Sequence, residues 1–202
     1  MSSISETWGT EPQERSLAFP CDGAILQPDA VLYRGVTIDA PPKTVFRWLC
    51  QMRAAPYSYD WIDNGGLQSP RKLSPGLDEL AISQEVMRIF KLIAFEQDSH
   101  LTLRLKTKSS ASRTFGDIAV SYVIAPTVEH GPTRRCRLLV KLIAKYPPGF
   151  WGRMMRALLP WGDLIMMRRQ LLNFKQLAEG TKNQAVAAFF PANDTSRDKS
   201  GR

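Results

Sequence analysis

The chain of 202 residues is poor in the side chains that build disulfide frameworks and metal sites. Its three cysteines, Cys21, Cys50 and Cys136, lie far apart and form no CxxC pair, and His100 and His130 are its two histidines. This odd set of isolated cysteines argues against a disulfide framework and does not match the ligand spacing of a zinc site. We therefore expect no metal, inert core thiols at Cys50 and Cys136, and a reducing, cytoplasmic location.

Long apolar runs are also absent. No uninterrupted stretch approaches the roughly 18 residues that a membrane-spanning helix needs, and the opening MSSISETWGTEPQERS lacks the pattern of a signal peptide. The net charge of +8 is spread along the chain without a block of five cations. That distribution is typical of a solvated surface, although it also fits an anionic partner such as a membrane surface. Nucleic acid is not an expected partner.

What the sequence does contain is the composition of a globular domain, with 44% hydrophobic and 23% charged residues. Residues 1–28 are polar and interrupted by prolines, which indicates an N-terminal extension. Residues 29–180 hold the periodic apolar segments of one domain. Residues 181–202 are mostly polar and are predicted to form a disordered tail.

Apolar periodicity within the domain predicts an α+β fold. A strand, a helix and a long loop are followed by several strands joined by short links, which predicts an antiparallel sheet. A long C-terminal helix is the available cover for the apolar face of that sheet. The predicted strands are 30–39, 87–95, 101–105, 117–125 and 135–146, with 129–133 as a hairpin connection. The predicted helices are 43–52, a short segment 150–159 that stops at Pro160, and 161–179, which Gly180 ends.

Several segments resemble the START-like, or SRPBCC, superfamily. The segment VTIDAPP at residues 36–42 is similar to the first strand and the helix entry of that superfamily. WGT at 8–10, YSYDWIDN at 57–64 and MRRQLL at 167–172 are similar to a bacterial subgroup. Members include polyketide cyclases, lipid-transfer domains and plant hormone-binding proteins. The resemblance covers residues 8–180 and implies a helix-grip fold, a curved antiparallel sheet wrapped around a long C-terminal helix with an apolar cavity between them.

Aromatic residues after the first helix and apolar residues on the inward strand faces are predicted to line this cavity. The predicted ligand-binding residues are Tyr57, Tyr59, Trp61, Leu103, Val120, Tyr122 and Leu138. Asp60, Asp63 and Tyr122 are the candidates for acid–base chemistry. The alternative is a structured loop, in which the aromatics pack on the core and the aspartates cap short helices, with the Tyr122 hydroxyl bonded to the backbone.

The segment YPPGFWGRMMRALLPWGD at residues 146–163 combines aromatic residues, methionines and arginines. Such a segment can rest on an anionic membrane surface, close the mouth of the cavity as a lid, or pack in the core. The predicted membrane or lid residues are Phe150, Trp151, Arg153, Met155 and Arg156, and Trp151 is expected to insert at the interface.

Taken with the resemblance, these features favour the binding of a small hydrophobic or amphipathic ligand, of lipid or polyketide type, in an internal cavity. Two alternatives stay open. One is a cofactor-independent enzyme of the cyclase or dehydratase type, in which positioning of the substrate does much of the work. The other is a peripheral membrane protein that binds lipid. No cofactor is expected under any of the three hypotheses, and the sequence leaves the oligomeric state open.

Overall fold

The structure is a computed structural model that describes residues 3–59, 61, 65–126 and 135–189, with side chains as far as residue 181. Its described strands form one antiparallel sheet in the order β1-β6-β5-β4-β3-β2. The strands are β1 (Ala30–Ile38), β2 (Glu85–Val86), β3 (Phe90–Glu96), β4 (His100–Leu105), β5 (Asp117–Pro126) and β6 (Cys136–Lys145). The predicted hairpin connection at 129–133 lies outside the described residues.

The described helices flank this sheet. They are α1 (Ile4–Thr7), α2 (Pro12–Arg15), α3 (Pro42–Cys50) with a 3-10 turn at Gln51–Arg53, α4 (Ser110–Phe115) and α5 (Gly149–Phe189). The inner face of the sheet, together with α3 and α5, forms the main hydrophobic core. The predicted helix-grip architecture, an antiparallel sheet with a long C-terminal helix, is therefore confirmed.

Alternation along β6 decides which of its side chains enter this core. Leu138, Val140 and Leu142 are buried on the inner face, as the period of two predicts. Leu139 and Ile143, on the outer face, are also buried, because the N-terminal segment covers that face. Both faces of this strand are therefore shielded from solvent.

The N-terminal segment is held on the outer face of the sheet by apolar contacts and by one arginine. Phe19, Cys21 and Ile25 pack with Leu139 and Ile143 in a second, smaller core. The guanidinium of Arg137 donates to both carboxylate oxygens of Glu14, at 2.7 and 2.8 Å, and to the carbonyl oxygen of Gly9 at 2.8 Å. Residues 9–25 are thus packed against the sheet.

Two predicted helix ends are wrong. The sequence predicted a stop at Pro160 and another at Gly180, but α5 continues through both residues to Phe189. A proline inside a helix removes one backbone donor without removing the neighbouring turns. The carbonyl oxygen of Pro160 has a hydrogen-bond partner outside the helix, because Arg34 Nη2 donates to it at 3.3 Å. The two predicted helical segments are therefore one element that spans the core.

The predicted start of the strand at 87–95 is also wrong. The apolar run at 87–95 was expected to be one strand, but Met87 and Arg88 have φ angles of 49° and 61° and turn the chain between β2 and β3. Left-handed backbone at two successive side-chain-bearing residues is uncommon. The strand consequently begins at Phe90, and the turn lies beside the cavity described next.

Candidate functional site

A cavity of about 360 Å³ lies between the inner face of the sheet, the turn between β2 and β3, and α5. Its volume falls in the range of small-molecule sites in proteins. Most of its lining is apolar, with three methionines that can adapt to the shape of a ligand. The lining residues are Pro56, Ser58, Met87, Arg88, Ile89, Phe90, Val120, Tyr122, Leu142, Asp163, Met166, Met167 and Gln170.

A buried hydrogen-bond chain forms one polar group of this cavity. The Tyr122 hydroxyl donates to Gln170 Oε1 at 2.8 Å, and Gln170 Nε2 donates to the carbonyl oxygen of Pro56 at 2.6 Å. The chain links β5, α5 and the loop after α3, so it positions all three elements around the cavity. Burial raises the pKa of the Tyr122 hydroxyl far above its ordinary value. The phenol therefore stays protonated at physiological pH.

A buried ion pair forms the second polar group. Arg34 Nη2 lies 2.7 Å from Asp163 Oδ2, and both side chains are almost fully buried. Burial raises the pKa of Asp163 to about 6, an effect that the charge and hydrogen bond of Arg34 partly offset. The guanidinium also donates to the carbonyl oxygens of Ser5 and Tyr33, both at 2.8 Å. The pair thus anchors α5 to β1 and to the N-terminal segment.

The structure brings two of the seven predicted ligand-binding residues to the cavity. Val120 and Tyr122, on the inner face of β5, are part of its lining. Leu103 and Leu138 are buried in the main core without lining it.

The three predicted aromatic residues in the loop after α3 do not line this cavity. They line a separate groove at the surface, of about 540 Å³. Tyr57 is buried between Trp48 and Phe174, with ring centroids 6.1 and 5.4 Å away. Tyr59 is half-buried beneath the guanidinium of Arg169, and Trp61 is exposed. The Tyr57 ring thus packs in the core, while Tyr59 and Trp61 stand at the surface.

The acid–base candidates divide in the same way. Asp60 and Asp63 lie outside the described residues, and Tyr122 lines the cavity as a protonated phenol. Asp163, which the sequence did not single out, is a carboxylate that lines the cavity. Asp163 is, however, paired with Arg34. A carboxylate that acts as an acid or base in this cavity is expected to have no arginine partner.

The predicted membrane or lid residues point in different directions around α5. Met155 is buried in the core, whereas Phe150 and Arg153 are exposed. The indole N–H of Trp151 donates to the Thr114 carbonyl oxygen at 2.7 Å, and Arg156 pairs with Asp29 at 3.1 Å. Trp151 is thus hydrogen-bonded to α4, and other apolar residues of α5 are more exposed than Trp151.

The structure also bears on the metal and thiol predictions. Among the described residues, no group of three or more His, Cys, Asp or Glu side chains is arranged to hold a metal ion. All three cysteines are buried and free, and burial raises the pKa of the Cys50 and Cys136 thiols to about 12. These two thiols are thus poor nucleophiles at neutral pH.

Sequence reasoning missed Arg34, Asp163 and Gln170, although the sequence held a signal for the first. Arg34 alternates with Leu32 and Val36 on the inner face of β1, and a lone cation on an apolar face needs a buried partner. Asp163 and Gln170 are seven residues apart on α5, which places them on one side of the helix, two turns apart. The period alone does not reveal that this side faces the cavity.

Comparisons with known proteins give similar structures but no sequence relatives. No protein-family model matches the chain, and no curated protein matches it. Similar solved structures include protein MLL2253 from Mesorhizobium loti, with 17% identity and a TM-score of 0.46 over 75% of this chain and 98% of that one.

Two further similar structures belong to proteins with a named activity or pathway. The di-domain ARO/CYC protein BexL of the BE-7585A biosynthetic pathway has 13% identity and a TM-score of 0.42, over 74% of this chain and 50% of that one. A point mutant of norcoclaurine synthase from Thalictrum flavum has 10% identity and a TM-score of 0.40, over 75% and 95%. The helix-grip architecture of this protein is defined by its own sheet and long C-terminal helix.

Proposed function

We propose that this protein binds a small, mostly apolar molecule in the cavity between the sheet and α5. The observation that carries the proposal is the cavity of about 360 Å³, with its apolar walls and buried polar groups. Apolar walls supply affinity through the area they remove from water, and a few fixed polar groups orient the ligand. Tyr122 and Gln170 are fixed in this sense by their own hydrogen bonds.

The residues around the cavity also support a ligand that enters and leaves. Ile89 and Arg88, in the turn between β2 and β3, are exposed to solvent and line the cavity at the same time. They therefore form its rim. Met87, Met166 and Met167 surround the interior, and their flexible side chains can reshape it without moving the backbone.

Neighbouring residues of α5 offer a matched test of this site. Met166 lines the cavity, whereas Ile165 is exposed. Calorimetric titration with 2-methoxynaphthalene, a compact apolar probe, should show binding to the wild type and to Ile165→Trp. Met166→Trp should lose it, because the larger side chain occupies the cavity. Binding should also raise the melting temperature, since a ligand of the folded state stabilises it.

Two results would contradict the proposal. One is an absence of binding to the wild type by both calorimetry and thermal shift. The other is equal binding to Met166→Trp and Ile165→Trp, which would place the probe elsewhere on the molecule. Native mass spectrometry of the purified protein adds a second readout, because a retained molecule should be present in the wild type and absent from Met166→Trp.

We further propose that the first half of α5 docks on an anionic membrane surface, because it exposes a stripe of large apolar residues. Phe150, Leu158, Trp161 and Ile165 are 73%, 55%, 52% and 56% exposed. At 3.6 residues a turn they fall within an arc of about 80° around the helix. None of the described helices is long and apolar enough to cross a membrane. Contact at the surface is the mode that such a stripe supports.

Charge around this stripe favours anionic lipid over neutral lipid. The exposed charged residues between 149 and 169 are all arginines, namely Arg153, Arg156, Arg168 and Arg169, and of these Arg156 is paired with Asp29. Asp163, the one acidic residue in that range, is buried and paired with Arg34. Basic side chains beside an apolar stripe add electrostatic attraction to lipid headgroups of negative charge.

Vesicle flotation tests this second proposal. The wild type should float with phosphatidylcholine vesicles that contain phosphatidylserine, and less with vesicles that lack it. Binding should weaken with salt, because the Debye length falls from about 10 Å at 0.1 M to about 3 Å at 1 M. The variant Phe150→Ser/Trp161→Ser/Ile165→Ser should stay with the soluble fraction, while Leu26→Ser, at an exposed leucine outside α5, should float normally. Equal flotation of the triple variant and the wild type would contradict it.

A further inference from the structure

The polar groups of the cavity differ in what they can offer a ligand, and the Gln170 amide sets that difference. Gln170 Nε2 lies 2.6 Å from the carbonyl oxygen of Pro56, which only accepts hydrogen bonds. The opposite orientation of the amide would place two acceptor oxygens against each other. The amide oxygen of Gln170 is therefore directed to Tyr122, at 2.8 Å.

This orientation determines the role of the Tyr122 hydroxyl. Its single hydrogen is used in the bond to Gln170 Oε1. What a phenol oxygen retains after donating its hydrogen is the capacity to accept. Tyr122 thus presents an acceptor to the cavity and has no second hydrogen to donate.

Asp163 adds a second acceptor to the same lining. Its Oδ2 accepts from Arg34, and an ionised carboxylate has no hydrogen to donate. Arg34 does not line the cavity, so its donors are not offered to a ligand there. The exposed Arg88 belongs to the rim. Tyr122 and Asp163 therefore each offer an acceptor, while Ser58, whose hydroxyl can both donate and accept, also lines the cavity.

Charge narrows the class of ligand further. The Arg34–Asp163 pair is neutral overall and almost fully buried. An ammonium group would bring an uncompensated charge into an apolar cavity, which is costly. A carboxylate would face the acceptor oxygens of Tyr122 and Asp163. A neutral hydroxyl satisfies both conditions, because it can donate one hydrogen bond without adding charge.

We infer that the ligand is a neutral, mostly apolar alcohol or phenol that donates its hydroxyl hydrogen to the acceptors of Tyr122 and Asp163. This inference rests on the proposed binding function. It predicts a preference among probes of equal ring size, namely 2-naphthol, 2-methoxynaphthalene and 2-naphthoate. The first donates a hydrogen bond, the second only accepts one, and the third carries a negative charge.

Calorimetric titration of the wild type in slightly alkaline buffer should rank 2-naphthol above the other two. A net hydrogen bond contributes about 1 kcal/mol and rather more to a charged acceptor, so we expect 2-naphthol to bind about tenfold more tightly than 2-methoxynaphthalene. Tyr122→Phe keeps the ring and removes the acceptor. It should reduce the preference of the protein for 2-naphthol over 2-methoxynaphthalene to about threefold or less.

A second variant reverses the role of the same hydroxyl. Gln170→Met removes the amide oxygen, which frees the Tyr122 hydrogen to donate. Affinity for 2-methoxynaphthalene should then rise relative to 2-naphthol. A circular dichroism spectrum and an unfolding curve like those of the wild type show that either variant has folded.

The outcomes separate this inference from the binding proposal. Equal affinities for 2-naphthol and 2-methoxynaphthalene in the wild type, or tightest binding of 2-naphthoate, would overturn the inference and leave the binding proposal standing. An unchanged preference in both variants would also overturn it. If the wild type binds none of the three probes, the binding proposal fails and the inference fails with it.

Discussion

The two halves of α5 carry apolar stripes of the same helical period, yet one is buried and the other is largely exposed. Leu171, Phe174 and Ala178 in the second half are fully buried against the sheet and α3. In the first half, Phe150 and Trp161 are more than half exposed. Apolar periodicity therefore identifies the stripe, and the neighbouring elements decide whether it becomes core.

Contacts at each end explain the difference. The second half of α5 is held in place by hydrogen bonds as well as by packing. Lys175 Nζ donates to the Thr37 carbonyl oxygen at 2.7 Å, the Asp39 amide donates to Glu179 Oε1 at 2.8 Å, and Trp48 Nε1 donates to Thr181 Oγ1 at 3.1 Å. The first half is held from its inner side by Asp163 and Met155. Its outer side is exposed.

The comparison is tested most strongly by making the same change in both halves. Phe174→Ala removes a fully buried ring and should lower the free energy of unfolding by about 3–5 kcal/mol. Phe150→Ala removes a ring that is 73% exposed and should change it by about 0.5 kcal/mol or less. Denaturant unfolding of both variants measures the difference. Similar losses would show that the first half is also core.

The ion pair that holds the first half should be the next most costly to break. Asp163→Ala leaves the Arg34 charge buried without its partner, so we expect a loss of roughly 3 kcal/mol in the free energy of unfolding. Asp78→Ala is a matched control, because its pair with Arg47 is longer, at 3.8 Å, and half exposed. A surface pair contributes about 0–1 kcal/mol. Equal effects would argue against a structural role of the buried pair.

The pH dependence of stability sharpens the same point. The pKa of Asp163 is raised from its ordinary 3.8 to about 6 in the folded chain, with burial as the largest cause. The folded state therefore holds this proton more tightly than the unfolded state. The resulting stabilisation is complete below about pH 4 and is lost as the pH rises through about 6.

The side chain introduced by Asp163→Asn does not titrate, so this variant isolates the contribution of Asp163 to the pH dependence of stability. The stability advantage of the wild type over Asp163→Asn should shrink as the pH rises from about 4 to about 7, by on the order of 2 kcal/mol. Denaturant midpoints measured across this interval give the comparison. An advantage that grows with pH would mean that the attraction of Arg34 outweighs the burial of Asp163.

Much of this fold could be predicted from local patterns, because the strands obey a period of two and their inner faces are mostly apolar. Leu138, Val140 and Leu142 illustrate this on β6. The helix ends could not be predicted, because Pro160 and Gly180 are breakers only where tertiary contacts do not hold the helix. Arg34, for example, donates to the Pro160 carbonyl oxygen from a strand that is distant in sequence.

The candidate site was less predictable than the fold for a similar reason. Alternation on β5 placed Val120 and Tyr122 on the inner face, where they line the cavity. The chemistry of the cavity, however, depends on pairs between distant segments. Arg34 meets Asp163 across 129 positions, and Gln170 meets Pro56 across 114. Such pairs follow from the packing of α5 against the sheet, which no local pattern encodes.

The smallest effects that we predict concern the glycines of α5, and they test whether the helix runs unbroken through both halves. A Cβ added at Gly162 or Gly180 would meet no atom within 4 Å. Since alanine loses less backbone entropy in a helix, Gly162→Ala and Gly180→Ala should each raise the free energy of unfolding by about 0.5–1 kcal/mol. At Gly152 the Cβ would overlap the Pro147 carbonyl oxygen, so Gly152→Ala should instead destabilise the protein. Thermal unfolding of the three variants compares them directly. A loss of stability in Gly180→Ala would indicate that the helix ends there, and a gain in Gly152→Ala would indicate that the start of α5 lies away from Pro147.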